Sequence, residues 1–190
     1  MTEKFKDQGG PATMDPSPLM RWLTSRLMST LCKPARLKNQ RRKTERKRLK
    51  SGQRHVVEYF HQVEDGYSHL AAQVLPALKK RYDIDIICHL VRGPLGKNLP
   101  EPDLLRKLSR YDSHVVASEY GLKFPSHPQE LSNEMADLAT SILAAASPAD
   151  FIELAQQVGD AMWHGRKEEL RTLASTHGSL SASEVDTRLD

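Results

Sequence analysis

The sequence predicts an α/β chain: one strand–helix–strand unit, helices after it, and a basic helical arm before it. Three observations carry this. His55 to Val63 is rich in Val, Tyr and Phe and reads as a strand. From Tyr67 to Lys80 the apolar residues Leu70, Ala71, Val74, Leu75 and Leu78 follow one helical face. Ile84 to Val91 is β-branched and nearly continuous in apolarity, the pattern of a strand buried on both faces. Strand, helix and strand in about 35 residues form a βαβ unit, with parallel strands and a right-handed crossover.

The elements follow in order. Met1 to Ser17 is rich in Gly, Pro and polar residues and is expected to be disordered. Leu19, Met20, Trp22, Leu23, Leu27, Met28 and Leu31 recur at helical spacing, so an amphipathic helix is expected there, ended by Pro34. KNQRRKTERKRLKSGQR then continues as a strongly basic helix to Gly52. Inside the crossover helix, Pro76 is expected to kink or tighten the middle. RGPLGKNLPEP is a loop, after which Asp103 should cap a helix reaching about Tyr120 and ended by Gly121.

Phe124-Pro125-Ser126-His127-Pro128 breaks the chain. Two or three helices are expected beyond it, over 129–146, 148–164 (Ser147 as N-cap, Pro148 at the first position) and 166–175. From His177 the tail reads as polar and loose. The expected organisation is a tail over 1–17, an arm over 18–54, a domain over 55–176 and a tail over 177–190. A two-stranded parallel sheet is too small to stand by itself. Either the helices cover it or further strands complete it.

Composition narrows the function classes. With 38% hydrophobic and 27% charged residues, the 190-residue chain is of the soluble globular type. No stretch approaches the roughly 20 apolar residues that cross a bilayer, and Met1 to Pro18 holds no apolar signal core. The location expected is cytoplasmic. Cys32 and Cys88 lie far apart and no CxxC occurs, so neither a redox dithiol nor a zinc knuckle can be argued. The eight histidines are scattered without metal-ligand spacing, and no metal is expected.

Charge is divided unevenly. Lys33 to Arg54 holds eleven Lys/Arg and one acid, Glu45, so the remainder is net acidic although the whole chain is formally +4. Such an arm suits nucleic acid or an anionic surface, and Trp22, Leu23, Leu27, Met28 and Leu31 suit a lipid interface. A solvated basic helix beside an acidic body is the competing reading. Aromatic residues do not interleave with the basic run, so a single-strand stacking platform is unsupported.

The corner Glu64-Asp65-Gly66-Tyr67-Ser68 joins the first strand to its helix. A helix N-terminus offers free N–H groups and the positive end of the dipole to an anion. Asp65 is an N-cap there, contributing about 1 kcal/mol, and Ser68 follows one turn later with no base positioned to activate it. His61 on the strand side and His69 on the helix read as solvated histidines, with a place facing the site as the alternative for either, and Tyr67 reads as packed under the helix. Capping and a ligand-binding or catalytic role both stay open for Asp65 and Ser68.

VEYFHQVEDGYSHLAAQVLPALKKRYDIDI resembles the opening strand, active-site turn and first helix of the DsbA-like branch of the thioredoxin superfamily. It is most similar to the 2-hydroxychromene-2-carboxylate isomerases and kappa-class glutathione transferases, whose V-E-x-F-x-D-x-x-S-P-Y-S-x-L pattern is matched by Val57, Glu58, Phe60, Tyr67, Ser68 and Leu70. DSHVVASEYGLKFP and AQQVGDAMWHG resemble parts of the same group's helical insert. The resemblance spans roughly Val56 to Ser175. It implies a thioredoxin-like βαβ unit with a large helical insert, in a glutathione-linked transferase or isomerase acting on a small-molecule or thiol ligand. Asp65 and Ser68 would stand at the catalytic position, with Gly66, Tyr67 and His61 binding substrate and glutathione as cofactor.

The departures are specific. Asp65-Gly66-Tyr67-Ser68 stands where the oxidoreductases carry C-x-x-C, so dithiol–disulfide exchange is set aside at this position. The family's later strands, including the one preceded by a cis-proline, have no counterpart before Asp190. The C-terminal strands of the fold are therefore expected to be missing, and that the chain is an N-terminal portion of a longer protein stays open as a third reading. The alternative is a catalytically silent thioredoxin-like module acting through its basic arm.

Overall fold

The computed structural model describes residues 17–93, 101–127 and 131–189. The chain divides between Arg54 and His55 into two compact units. In the first, α1 (Pro18–Leu31) opens with Ser17, whose hydroxyl accepts the Met20 N–H at 3.4 Å. α2 (Pro34–Ser51) closes at Gly52, whose φ of +66° is the left-handed conformation that a residue without Cβ adopts freely. Arg48 forms a two-pronged pair with Glu45 at 2.6 and 3.1 Å and donates to the Gln53 carbonyl. Neither helix contains a buried residue. The expected N-terminal tail, apart from Ser17, lies outside the described residues.

The second unit opens with β1 (His55–His61), α3 (Gly66–Arg81) and β2 (Ile84–Leu90). The strands are parallel, with His55 opposite Ile84 and His61 opposite Leu90. This makes the chain α/β with a two-stranded parallel sheet. Tyr59, His61 and Ile84 are buried. Val56, Phe60 and Ile87, by contrast, are about half exposed (54%, 56% and 46%). The expectation of burial on both faces is therefore corrected. A β-branched run marks a strand, but coverage depends on what packs against it, and only one face is covered here. Among the described residues neither strand pairs along its outer edge.

Among the described residues five helices follow: α4 (Pro102–Tyr120), α5 (Asn133–Ala145), α6 (Phe151–Trp163), α7 (Lys167–His177) and α8 (Ala182–Leu189). Glu101, not Asp103, is the N-cap of α4, and Asp103 falls in its first turn where its charge suits the dipole. Ser132 caps α5 by accepting the Met135 N–H at 3.3 Å, and the expected start at 129 lies outside the described residues. α6 begins later than Pro148. Ser147 instead closes a turn, donating to the Asp150 carboxylate at 2.7 Å while its carbonyl accepts the Phe151 N–H. The tail from His177 is not loose, because in Ser181-Ala182-Ser183-Glu184 the glutamate reaches back to Ser181 and forms one half of a capping box. Glu184 accepts the Ser181 N–H at 2.8 Å, and α8 then buries Val185.

Pro76 does not break α3, and the reason lies on another helix. Proline has no N–H, so the Ala72 carbonyl loses its intrahelical donor. The side-chain amide of Gln156 on α6 supplies one at 3.0 Å. The two helices approach closely because Ala72, Ala155 and Gly159 are small and buried where they meet. Around this contact Ile142, Leu143, Val158, Met162, Trp163 and Leu170 form the centre of the core.

Candidate functional site at the strand-to-helix corner

Gln62 to Asp65 turn the chain from β1 into α3, with the Asp65 N–H bonded to the Gln62 carbonyl at 3.2 Å. Asp65 is extended and its carboxylate folds over the helix end, accepting from Ser68 N–H at 2.9 Å and Tyr67 N–H at 3.4 Å. The Ser68 hydroxyl donates to the same carboxylate at 2.8 Å and accepts the Gln62 N–H at 3.3 Å. Three donors thus converge on one anion, and that anion is the protein's own side chain. Ser68 is buried, and its proton is committed to Asp65.

The remaining predicted residues are placed differently. Gly66 is buried against α4, where a Cβ would lie 2.4 Å from Ser113 Oγ and 3.1 Å from Phe124, so it serves close packing. Tyr67 is 41% exposed rather than packed under the helix, and its hydroxyl donates to Asp112 on α4. His61 is 3% exposed, correcting the solvated reading. Its Nδ1 lies 2.7 Å from the Tyr59 hydroxyl, which donates to the Ser68 carbonyl at 2.6 Å. This order assigns the proton to His61 Nδ1 and leaves Tyr59 as the relay to the backbone. His69 is equally buried. Its Nε2 faces the Gln73 amide at 3.1 Å, while its Nδ1 has no partner among the described residues and rests over Gly159.

Burial lowers both histidines to about 4, helped at His61 by the neighbouring His69. Both are neutral at pH 7, and neither bonds the Ser68 hydroxyl. Burial also raises the Tyr59 phenol and the Cys88 thiol, so neither is ionised near neutrality. No nucleophile–base pair is therefore assembled at the corner. Among the described residues no group of three or more His, Cys, Asp or Glu could hold a metal ion.

What the corner does border is a cleft of about 1370 Å³. Gln62 to Asp65 and Val91 to Gly93 line it at the carboxyl ends of β1 and β2, and α4, α5 and α8 complete it. Of the five residues that the sequence nominated, only Asp65 reaches this wall. The cleft carries both charge signs. Arg92 pairs with Asp186 on α8, Arg106 pairs with Asp103 one turn away on α4, and Lys107, Arg110, Glu64 and Asp137 add to the lining. Sequence reasoning missed these cationic residues because α4 and α8 meet the strand ends only in the fold. It also missed Gln73, which brackets Lys123 through both backbone groups at 2.9 Å and so fixes the loop behind α3.

No helix among the described residues is long and apolar enough to cross a membrane. Comparison with known proteins finds no family model that matches the chain and no curated protein similar to it at a significant level.

Proposed function

We propose that the chain is a DsbA-like thioredoxin-fold protein of the glutathione-linked transferase or isomerase type, binding its ligand in the cleft beside Asp65 without disulfide exchange. The carrying observation is where the cleft opens: at the carboxyl ends of parallel strands, beside a helix N-terminus, where open α/β units receive ligands. Its mixed charge suits a small zwitterion with carboxylates and an ammonium, as glutathione has. Arg92, Arg106 and Arg110 supply cations, and Glu64 and Asp137 supply anions. Asp65 would meet the ligand at the cleft wall, its carboxylate held in place by the Ser68 hydroxyl behind it. Calorimetric titration of the full chain with glutathione and an S-alkyl glutathione tests this. Saturable, competitive binding weakened by Arg110→Glu is expected, and no heat with either ligand overturns it.

One observation favours a second reading, a catalytically silent module that works through its arm. The Ser68 proton and the Tyr67 and Ser68 N–H groups are already taken by Asp65, so these three donors are not offered to a ligand. The arm reading expects salt-dependent binding of the full chain to polyanions, lost on Arg41→Glu/Arg42→Glu/Lys43→Glu. Unchanged binding in that variant overturns it.

A further inference from the structure

α1 carries an apolar stripe with nothing of its own unit's described residues packed on it. At 100° per residue, Leu19, Leu23, Leu27 and Leu31 advance slowly around the helix, and Met20 joins them within an arc of roughly 120°. Arg21, Ser25 and Ser29 occupy the opposite side. Trp22 and Met28 flank the stripe, and every one of these apolar side chains is exposed, from Leu31 at 41% to Leu19 at 68%. Trp22 lies at the edge of the stripe with the Arg26 guanidinium over its ring at 5.3 Å, which places an amphipathic ring and a cation at the apolar–polar boundary. The helix's two threonine hydroxyls are satisfied, since Thr24 and Thr30 bond back to the Met20 and Arg26 carbonyls. They add no unmet polar demand to the apolar side.

α2 follows after Cys32 and Lys33. It carries nine Lys/Arg and one acid over eighteen residues, with basic side chains on all sides of the helix. Such a helix does not bury a face, and its charge calls for an anionic partner. The pairing of an apolar stripe with a polybasic stretch separates the candidate partners. A phosphate backbone complements α2 but leaves the leucines of α1 in water. An anionic bilayer takes both, the stripe into its interface and the cations onto its headgroups.

We infer that α1 and α2 form a peripheral membrane-docking device, with α1 lying in the plane of an anionic phospholipid surface and α2 held to its headgroups. This sharpens the arm reading and does not depend on what the cleft binds. Two anchoring signals matter because either alone gives only marginal, reversible attachment.

The test uses the full chain and vesicles of phosphatidylcholine with or without about a third phosphatidylglycerol. Co-flotation with the anionic vesicles is expected to exceed that with the zwitterionic ones at least ~tenfold, and to fall as salt screens the headgroups. Brominated lipid should quench the fluorescence of Trp22. The Trp22→Phe variant should lose this quenching, because Trp163 is 1% exposed. Leu23→Glu/Leu27→Glu should abolish flotation, with unchanged thermal unfolding of the second unit as the folding control, since α1 has no buried residue. Leu23→Ala/Leu27→Ala, which keeps helix propensity, should weaken it. Equal binding to both vesicle types, or undiminished flotation of the glutamate variant, overturns the inference. Salt-dependent binding to duplex DNA without any vesicle binding overturns it too, but leaves the arm reading standing. Binding to neither overturns both.

Discussion

The bond from Gln156 to Ala72 makes a quantitative prediction, because it exists only on account of a proline four residues away. Ala72 is fully buried, and its carbonyl has no helical donor as long as Pro76 occupies the fourth position after it. Gln156→Ala leaves that carbonyl unpaired in the partly buried contact between α3 and α6. The expected cost is about 1–3 kcal/mol, the desolvation penalty of an orphaned acceptor and not the smaller net value of an average hydrogen bond. Gln156→Leu refills the volume and should cost nearly as much. Pro76 itself is exposed, so Pro76→Ala disturbs no packing and restores a main-chain N–H to the same carbonyl. In that background the Gln156→Ala cost should shrink by about 1 kcal/mol or more. Urea unfolding of the four variants, followed by far-UV circular dichroism at constant m-value, closes the cycle. Equal cost of Gln156→Ala in both backgrounds would refute the reasoning, since the glutamine would then matter for something other than the missing N–H.

Two further perturbations follow from the same coordinates. Gly66→Ala puts a Cβ 2.4 Å from Ser113 Oγ and 2.9 Å from Ser113 Cβ, forcing α3 and α4 apart; a loss of about 1–3 kcal/mol in urea unfolding is expected, partly recovered by Ser113→Gly. Stability should also fall with acid. His61 and His69 are near 4 when folded and near 6.5 when unfolded, so the unfolded chain binds more protons between those values. Their neutral burial is harmless above about pH 6.5 and costs on the order of 2 kcal/mol each by about pH 5. The melting temperature should therefore drop across that window, and less steeply in His69→Gln. A flat profile from about pH 7 to 5 would contradict the burial of the two rings.

Much of the architecture was legible because it is written in local periodicity. β1, α3 and β2 follow from the Val/Tyr/Phe run, the helical stripe through Leu70 and Leu75, and the Ile run. The ends of α2 and α4 follow from Gly52 and Gly121, both at positive φ. What was not legible depends on partners distant in sequence. Pro76 reads as a kink until Gln156, far along the chain, supplies the donor. His61 and His69 read as solvated because polarity is a poor guide where Tyr59 and Gln73 lie within hydrogen-bonding reach. The uncovered face with Val56, Phe60 and Ile87 cannot be seen in an apolar run that looks the same whether one or both faces are covered. α8 is a different case. Its SASE capping box was present in the sequence and was masked by the polarity around it.

At the strand-to-helix corner a single substitution can separate the backbone from the side chain. Asp65 receives two N–H groups and a hydroxyl on one carboxylate at the positive end of α3. Those donors are properties of the backbone turn and of Ser68, not of the carboxylate they happen to hold. Asp65→Cys should therefore present a thiolate to the same convergence and lower its pKa from the usual 8.5 or so into the range of about 3.5–7.5 that helix N-termini give. The pH dependence of alkylation by iodoacetamide measures it. A Cys32→Ser background removes the exposed thiol, and Cys88 is held protonated by burial. An ordinary thiol pKa would mean that the donors gather only around a carboxylate, and the likeness to a reactive turn would be one of sequence alone. A depressed one would mean that the fold keeps an anion-activating position whose chemistry Asp65 closes off. The ligand would then have to be sought in the cleft beside the corner and not on the helix end itself.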